Sequence, residues 1–274
     1  MQTLNVNGYD LAYLDIGRGT DGSPPLVLVH GTLGDFRTWN AVLGPLSRKH
    51  RVISLSLRRF FPEHWDGVGT DYLMAQHTAD VIGFIEKLDA GPVDLLGHSR
   101  GGHIGFRVAQ GRPELLRKLV LAEPGGDLDP TLRPADTASG FTPIGARMPM
   151  AAERIRSGDI EGALALFVDG IDGEGAWARL PAVPKQQLRD NVNTLIGQVG
   201  ENRKPFTRSE AESIRTPTLL IGGGETKGPL SVIWRVLARH IPGAKTAIIP
   251  GTRHWMFEQA PQQFCDVALE FLAA

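Results

Sequence analysis

Cysteine is almost absent from this sequence, which has a single one, Cys265, among 274 residues. One cysteine cannot form an internal disulfide, and the sequence contains no cluster of cysteines that could bind a metal ion. Cys265 lies in an apolar stretch near the carboxyl terminus, where we expect it to be a small buried side chain. We therefore expect neither a disulfide-stapled fold nor a metal site.

An excess of charge of either sign is also absent, since 29 lysine and arginine residues oppose 30 aspartate and glutamate residues. Such a chain has no large field to attract nucleic acid or anionic lipid. No apolar stretch reaches the length of a membrane span, and residues 1–13 lack the basic start and apolar run of a signal peptide. The sequence predicts a cytoplasmic protein that acts on a small molecule and binds neither nucleic acid nor membrane. It leaves the oligomeric state open.

The composition, with 42% hydrophobic and 22% charged residues, is that of an ordinary globular protein. Short apolar runs, typical of buried parallel strands, alternate with longer segments of helical spacing. The predicted strands are residues 4–6, 11–15, 26–29, 52–57, 93–96, 119–122, 218–221 and 246–249. The predicted helices are residues 36–46, 72–88, 102–110, 230–240 and 261–272. This regular alternation indicates an α/β fold, a mostly parallel sheet with helices on both faces.

The alternation is interrupted between about residues 124 and 215, where no strand is predicted. Residues 151–168 and 185–199 have helical spacing instead. An interruption of this length is too long for a simple loop. It predicts a helical cap of residues 125–214 inserted into a core domain formed by residues 1–124 and 215–274.

A Gly-x-Ser-x-Gly motif spans residues 97–101, between an apolar strand and a helix. A serine at such a turn is pushed out at the edge of the sheet in a strained backbone conformation, and the flanking glycines let strand and helix approach closely. Three fixed positions mean little in a chain with 33 glycines. The strand before and the helix after are what the mechanism requires, and we therefore predict that Ser99 is a nucleophile.

Two further motifs follow buried strands. In residues 30–34 (His-Gly-Thr-Leu-Gly), the backbone N–H of Thr32 or Leu33 could stabilise an oxyanion together with the N–H of Arg100, which begins a helix. His254 lies on the loop after the last predicted strand. It would reach the same sheet edge as Ser99 and could act as its general base.

In this order, the three motifs resemble the α/β-hydrolase superfamily. The resemblance covers nearly the whole chain and is closest to capped bacterial members, which include small esterases, lactonases and carbon–carbon bond hydrolases. It implies an eight-stranded sheet, a serine–acid–histidine triad in that chain order, and no cofactor.

The acid of the triad departs from the commonest family pattern, which places an aspartate just after the strand that reopens the sheet. Residues 221–228 contain only Glu225. The second candidate is Glu123, at the carboxyl end of the strand after the elbow helix, where a carboxylate faces the active-site edge. Some superfamily members, including lactonases that open large rings, resemble this arrangement. We favour Glu123, with Glu225 as the alternative; either could instead be a structural carboxylate paired with an arginine.

Several side chains are candidates for contacts with the substrate. Arg100 is unusual beside a nucleophile. By analogy with related enzymes that use an aspartate nucleophile, it could bind a substrate carboxylate, or it could simply pair with a nearby acid. The predicted cap and the loop beside His254 also offer apolar side chains that could line a pocket or be ordinary core residues: Phe141, Met148, Met150, Phe167, Trp177 and Trp255.

The leading hypothesis is a serine hydrolase that cleaves a small, partly apolar ester or lactone through an acyl-enzyme, with Ser99, Glu123 and His254 as its triad. The first alternative is a hydrolase of carbon–carbon bonds in ring-cleavage products. The second is a non-hydrolytic ligand-binding member of the fold. A nucleotide-dependent enzyme is disfavoured because the glycines at 222–224 are not followed by the Lys-Ser/Thr ending of a phosphate loop.

Overall fold

A computed structural model of the chain describes residues 1–19, 23–133 and 144–274. The strands are β1 (Gln2–Val6), β2 (Tyr9–Ile16), β3 (Leu26–Val29), β4 (Val52–Leu55), β5 (Val93–His98), β6 (Leu116–Ala122), β7 (Thr218–Gly223) and β8 (Lys245–Ile249). They form one eight-stranded sheet in the order β1-β2-β4-β3-β5-β6-β7-β8. Strand β2 is antiparallel to β1 and β4, and every other neighbouring pair is parallel. The predicted mostly parallel eight-stranded sheet is confirmed.

Helices connect the strands and occupy the long segment between β6 and β7. The α-helices are α1 (Asn40–Ser47), α2 (Met74–Leu88), α3 (Arg100–Gly111), α4 (Met148–Arg156), α5 (Ile160–Asp172), α6 (Ala176–Arg179), α7 (Ala182–Asp190), α8 (Thr194–Gly197), α9 (Arg208–Ser213), α10 (Pro229–His240), α11 (Met256–Gln259) and α12 (Pro261–Ala273). Short 3-10 helices lie at Phe36–Trp39, Pro113–Leu115 and Ile144–Arg147.

Both faces of the sheet are covered, which explains why its central strands are apolar throughout. In β3, Leu26 and Leu28 belong to one buried cluster, with the apolar faces of α1 and α12. Val27 and Val29 point the other way, into a cluster with α2, α3 and α10. Successive side chains of a strand alternate between faces, so a strand buried on both sides needs an apolar residue at every position.

The order of the strands creates a crevice at the carboxyl edge of the sheet. Strand β3 lies between β4 and β5, and the chain leaves β3 toward α1 on one face but leaves β5 toward α3 on the other. Loops that diverge in this way open a crevice beyond the strand ends, where ligands of open α/β sheets bind. The loops after β3, β5, β6 and β8 all begin at this edge.

The helices between β6 and β7 form a third apolar cluster of their own. It includes residues of α4, α5, α7 and α8, and Leu33 from the loop after β3 packs into it. A polar link adds to this contact: the buried Asn191 donates from Nδ2 to Asp35 Oδ2 at 2.8 Å and accepts at Oδ1 from the backbone N–H of Phe61 at 2.7 Å. Helix α9 differs, because Ala211 packs with the sheet-side cluster.

Two long helices were predicted in this segment, and the structure divides each of them into two shorter helices. The prediction for residues 151–168 divides into α4 and α5 at Gly158, which has a φ of +87° that ends a helix readily. Asp159 then caps α5, accepting a hydrogen bond from the N–H of Gly162 at 2.9 Å. The prediction for residues 185–199 likewise divides into α7 and α8. Among the residues described here, no helix is long and apolar enough to cross a membrane.

Candidate active site

Ser99 occupies a strained turn between β5 and α3, with φ +51° and ψ −112°. The glycines on either side permit this turn. A Cβ on Gly97 would lie 2.2 Å from the carbonyl oxygen of Gly101, and a Cβ on Gly101 would lie 2.0 Å from the carbonyl oxygen of Val29. Both contacts are shorter than any side chain tolerates. The strand-to-helix turn at Ser99 therefore depends on glycine at both positions.

Ser99 lines a cavity of about 220 Å³ at the carboxyl edge of the sheet. The backbones of two glycines approach the Ser99 side chain closely. A Cβ on Gly31 would lie 3.0 Å from Ser99 Cβ, and a Cβ on Gly125 would lie 3.3 Å from Ser99 Oγ. The apolar part of the lining is Met148, Phe167 and Ile171, and its polar part includes Thr32, Asp127, Gln198, Glu201, Asn202 and Arg203. The cavity has the size of a small-molecule site, with a mixed apolar and polar wall.

His254 and Glu123 form a buried pair. The two atoms His254 Nδ1 and Glu123 Oε2 are 2.7 Å apart, and the other carboxylate oxygen of Glu123 accepts the N–H of Gly223 at 2.8 Å. Neither side chain is more than 2% exposed. An ionised carboxylate only accepts hydrogen bonds, so Nδ1 carries the proton and Nε2 is left with a lone pair. His254 is thus held in the form that can accept a proton from a serine.

Glu225, the alternative acid, lies elsewhere. Its side chain is 57% exposed, and its ion-pair partner is Arg253, with Arg253 Nε 3.7 Å from Glu225 Oε2. The structure brings Glu123, and not Glu225, to the imidazole of His254.

Two further residues hold the loop that carries His254. His98 donates from Nε2 to the carbonyl oxygen of His254 at 3.0 Å, and the two imidazole rings lie 4.3 Å apart between centroids. The residue before Ser99 therefore packs directly on the candidate base. From the other side, Asp172 at the end of α5 accepts the backbone N–H of His254 at 3.3 Å. Sequence reasoning missed Asp172, which no motif marks.

Backbone N–H groups suited to an oxyanion lie around Ser99. Those of Thr32 and Arg100 have no hydrogen-bond acceptor within residues 1–19, 23–133 and 144–274. Thr32 lines the Ser99 cavity, whereas Leu33, with φ +61°, turns its side chain into the cluster of α4 to α8. The N–H of Leu33 also has no acceptor in these ranges, so Thr32, which lines the cavity, and Leu33 both stay candidates for a donor pair with Arg100.

The Arg100 side chain is buried in an ion pair. It donates to both carboxylate oxygens of Glu201, from Nη1 at 2.9 Å and Nη2 at 2.5 Å, and from Nε to His77 Nδ1 at 3.2 Å. Burial alone would raise the pKa of Glu201, but Arg100 and Arg203 lower it to about 2. Burial and Arg100 hold the pKa of His77 well below its usual range, so this ring is a neutral acceptor. Of the two alternatives for Arg100, the structure supports pairing with a protein acid.

Two of the aromatic candidates, Trp177 and Trp255, do not line the Ser99 cavity. Trp177 is buried among α4 to α8, with its Nε1 donating to Glu161 at 3.3 Å. Trp255 lies beside His254, with ring centroids 5.4 Å apart, but it lines two neighbouring cavities instead. Phe141 lies outside the described residues. Phe167, Met148 and Ile171 supply the apolar wall, and of these Phe167 and Met148 were among the predicted lining candidates. Met150, also a candidate, is 54% exposed.

Within the described ranges, no group of three or more histidine, cysteine, aspartate or glutamate side chains is arranged to hold a metal ion. The groups at the carboxyl edge are the Ser99 hydroxyl, the imidazole of His254 held by Glu123, and backbone N–H groups without an acceptor among the described residues. This set of groups suits attack on a carbonyl carbon.

Comparison with known proteins places this geometry in context. The sequence pattern of the alpha/beta hydrolase family matches residues 26–267. The sn-1-specific diacylglycerol lipase of Xenopus tropicalis is 26% identical over 278 residues, which cover 96% of this chain and 82% of the lipase.

Two solved structures have a similar fold. The enol-lactonase of Burkholderia xenovorans LB400 has a TM-score of 0.75 and 21% identity, with 99% of this chain and 100% of the lactonase covered. A thermophilic esterase of Thermogutta terrifontis has a TM-score of 0.75 and 22% identity, covering 99% of this chain and 97% of the esterase. At these identities the likeness concerns the fold.

Proposed function

The chain belongs to the alpha/beta hydrolase family, and within it we propose a serine hydrolase that cleaves a small, partly apolar carboxylic ester or lactone through an acyl-enzyme. One observation carries the proposal: the buried Glu123–His254 pair, 2.7 Å between Oε2 and Nδ1, whose imidazole packs on His98, the residue before the strained elbow at Ser99. The lactonase and esterase of similar fold, and the related lipase, support the same class of reaction.

In the proposed reaction, Ser99 Oγ attacks the carbonyl carbon while its proton passes to His254 Nε2. The N–H of Arg100 and a second N–H from the loop after β3 stabilise the resulting oxyanion, and Glu123 stabilises the imidazolium. The imidazolium then protonates the leaving alcohol as the carbon–oxygen bond breaks. Water, deprotonated by His254, attacks the acyl-enzyme and releases the acid.

We also propose that residues 125–214 act as a cap over a core domain of residues 1–124 and 215–274. The separate apolar cluster of α4 to α8, and the contribution of Met148, Phe167 and Ile171 to the Ser99 cavity, support this division. A cap that supplies an apolar wall favours small substrates over polymers.

A substrate panel tests the proposal. It contains 4-nitrophenyl esters of increasing acyl length, lactones of increasing ring size, and a vinylogous diketone. Ser99→Ala should abolish turnover of esters and lactones, whereas Ser47→Ala, which loses only a surface hydrogen bond to Gly44, should retain it. Turnover of the diketone alone would replace the proposal with carbon–carbon cleavage. Binding of small ligands without any turnover would replace it with a non-hydrolytic binding protein.

A further inference from the structure

Arg203 is a largely buried guanidinium with too few partners. Its Nη2 donates to Glu201 Oε2 at 2.9 Å, and the same oxygen accepts Nη1 of Arg100 at 2.9 Å. In the part of the chain that the structure describes, Nε and Nη1 of Arg203 donate to no group. The Arg203 side chain is 20% exposed, so these two nitrogens are donors that an incoming acceptor can reach.

The charges around Arg203 do not balance. Two guanidinium groups, of Arg100 and Arg203, share the single carboxylate of Glu201, whose low pKa keeps it ionised at neutral pH. Burial raises the pKa of Tyr72 to about 12 and lowers the pKa values of His77 and His103, so these three groups are neutral at neutral pH. The cluster therefore carries one uncompensated positive charge.

This charge faces the proposed reaction site. Arg203 and Ser99 line the same cavity of about 220 Å³. Glu201 joins Arg203 to Arg100, whose backbone N–H is a proposed oxyanion donor. A group bound to Arg203 would thus be held in the cavity that receives the scissile carbonyl.

One acid also faces the cavity. Asp127 belongs to its lining and makes no ion pair with any cation of the described residues. Because no ion pair joins Asp127 to Arg203, the guanidinium nitrogens remain available to a ligand. The negative charge of Asp127 would weakly oppose binding of an anion. Removal of this charge should therefore strengthen anion binding, whereas removal of the Arg203 charge should weaken it.

We propose that Arg203 binds a carboxylate of the substrate, so that the protein prefers esters or lactones bearing a free carboxylate in addition to the scissile carbonyl. The planar fork of a guanidinium matches the two oxygens of a carboxylate. This inference rests on the proposed hydrolase function. It assigns to Arg203 the role that the sequence offered as one alternative for Arg100.

The experiment compares two esters that differ in charge: 4-nitrophenyl hemisuccinate, which carries a carboxylate, and 4-nitrophenyl pentanoate, which does not. The readout is the ratio of their kcat/KM values. The unmodified protein should favour the hemisuccinate. Arg203→Met should lower the ratio by roughly 10- to 100-fold, as expected for the loss of a charged hydrogen bond. Asp127→Asn should raise it.

The matched control is Arg235→Met, which removes an exposed arginine on α10 and should leave the ratio unchanged. If Arg203→Met fails to fold, inhibition of the unmodified protein tests the carboxylate subsite. Glutarate, which has carboxylates, should compete with the neutral ester, and its uncharged analogue glutaramide should not. Equal kcat/KM values for both esters in the unmodified protein, or an unchanged ratio in Arg203→Met, would overturn the carboxylate subsite alone. Absence of turnover for both esters would instead count against the hydrolase function.

Discussion

Glu123→Gln should reduce kcat for a neutral ester by about 10⁴-fold, because a triad amide imposes the wrong histidine tautomer. The structure gives the reason in detail. The N–H of Gly223 donates to Glu123 Oε1 at 2.8 Å. In the variant, this donor keeps the amide oxygen in place and turns the NH₂ group toward His254.

The NH₂ group would then donate to His254 Nδ1, across the 2.7 Å now spanned by the carboxylate contact. Nδ1 becomes an acceptor, so the ring proton moves to Nε2, which can no longer accept a proton from Ser99. The opposite amide orientation would place two donors against each other at Gly223. Glutamine is nearly isosteric with glutamate, and the fold should therefore survive the exchange.

The matched control is Glu225→Gln, which changes an exposed carboxylate 3.7 Å from Arg253 and should cost less than about twofold in kcat. Steady-state kinetics with 4-nitrophenyl pentanoate, with circular dichroism to establish folding, measures both variants. A loss below tenfold in a folded Glu123→Gln protein, or a comparable loss in Glu225→Gln, would refute the assignment of the acid.

Two further predictions concern stability, each measured by urea unfolding. Gly101→Ala should lower the free energy of unfolding by at least about 3 kcal/mol, since its Cβ would lie 2.0 Å from a main-chain oxygen. Gly111→Ala in the same helix, where a Cβ would meet nothing within 4 Å, should change it by no more than about 1 kcal/mol. Equal effects of the two substitutions would contradict this explanation. Glu201→Gln should cost roughly 3 kcal/mol at pH 7, because the folded pKa of Glu201 is about 2 against 4.5 in the unfolded chain. This contribution is fully present above pH 4.5 and is lost as pH falls toward 2, so the gap between the two proteins should narrow over that range. A gap that is constant with pH would contradict it.

Much of the sheet could be predicted because its signals are local. Strands β3 and β5 lie between covered faces, and each is a short, uninterrupted apolar run between turn signals. The elbow at Ser99 is recognisable as a short motif, since a Cβ at Gly97 would clash with Gly101 and one at Gly101 would clash with Val29, which restricts both positions to glycine. The division between α4 and α5 was missed although its signal is local, because Gly158 followed by Asp159 combines a helix stop with a helix start.

The partners of the site residues could not be predicted in the same way. Glu201 contacts Arg100 across 101 positions, and it lies in a segment without regular spacing. Nothing in the sequence distinguishes it from acids that lie on the surface. Trp177 shows the same limit. A large aromatic in the inserted segment is compatible with a pocket wall and with the core of α4 to α8, and only the structure places it in that core. Pairing at long range depends on how elements pack, which one sequence does not report.

The central claim is that Ser99 is an activated nucleophile, and labelling with a fluorophosphonate probe tests it most directly. Mass spectrometry of the digested protein locates the label. The account predicts modification of Ser99 in the unmodified protein and its loss in His254→Ala. Absence of label at Ser99 under conditions that label a reference serine hydrolase, or label that persists in His254→Ala, would contradict it.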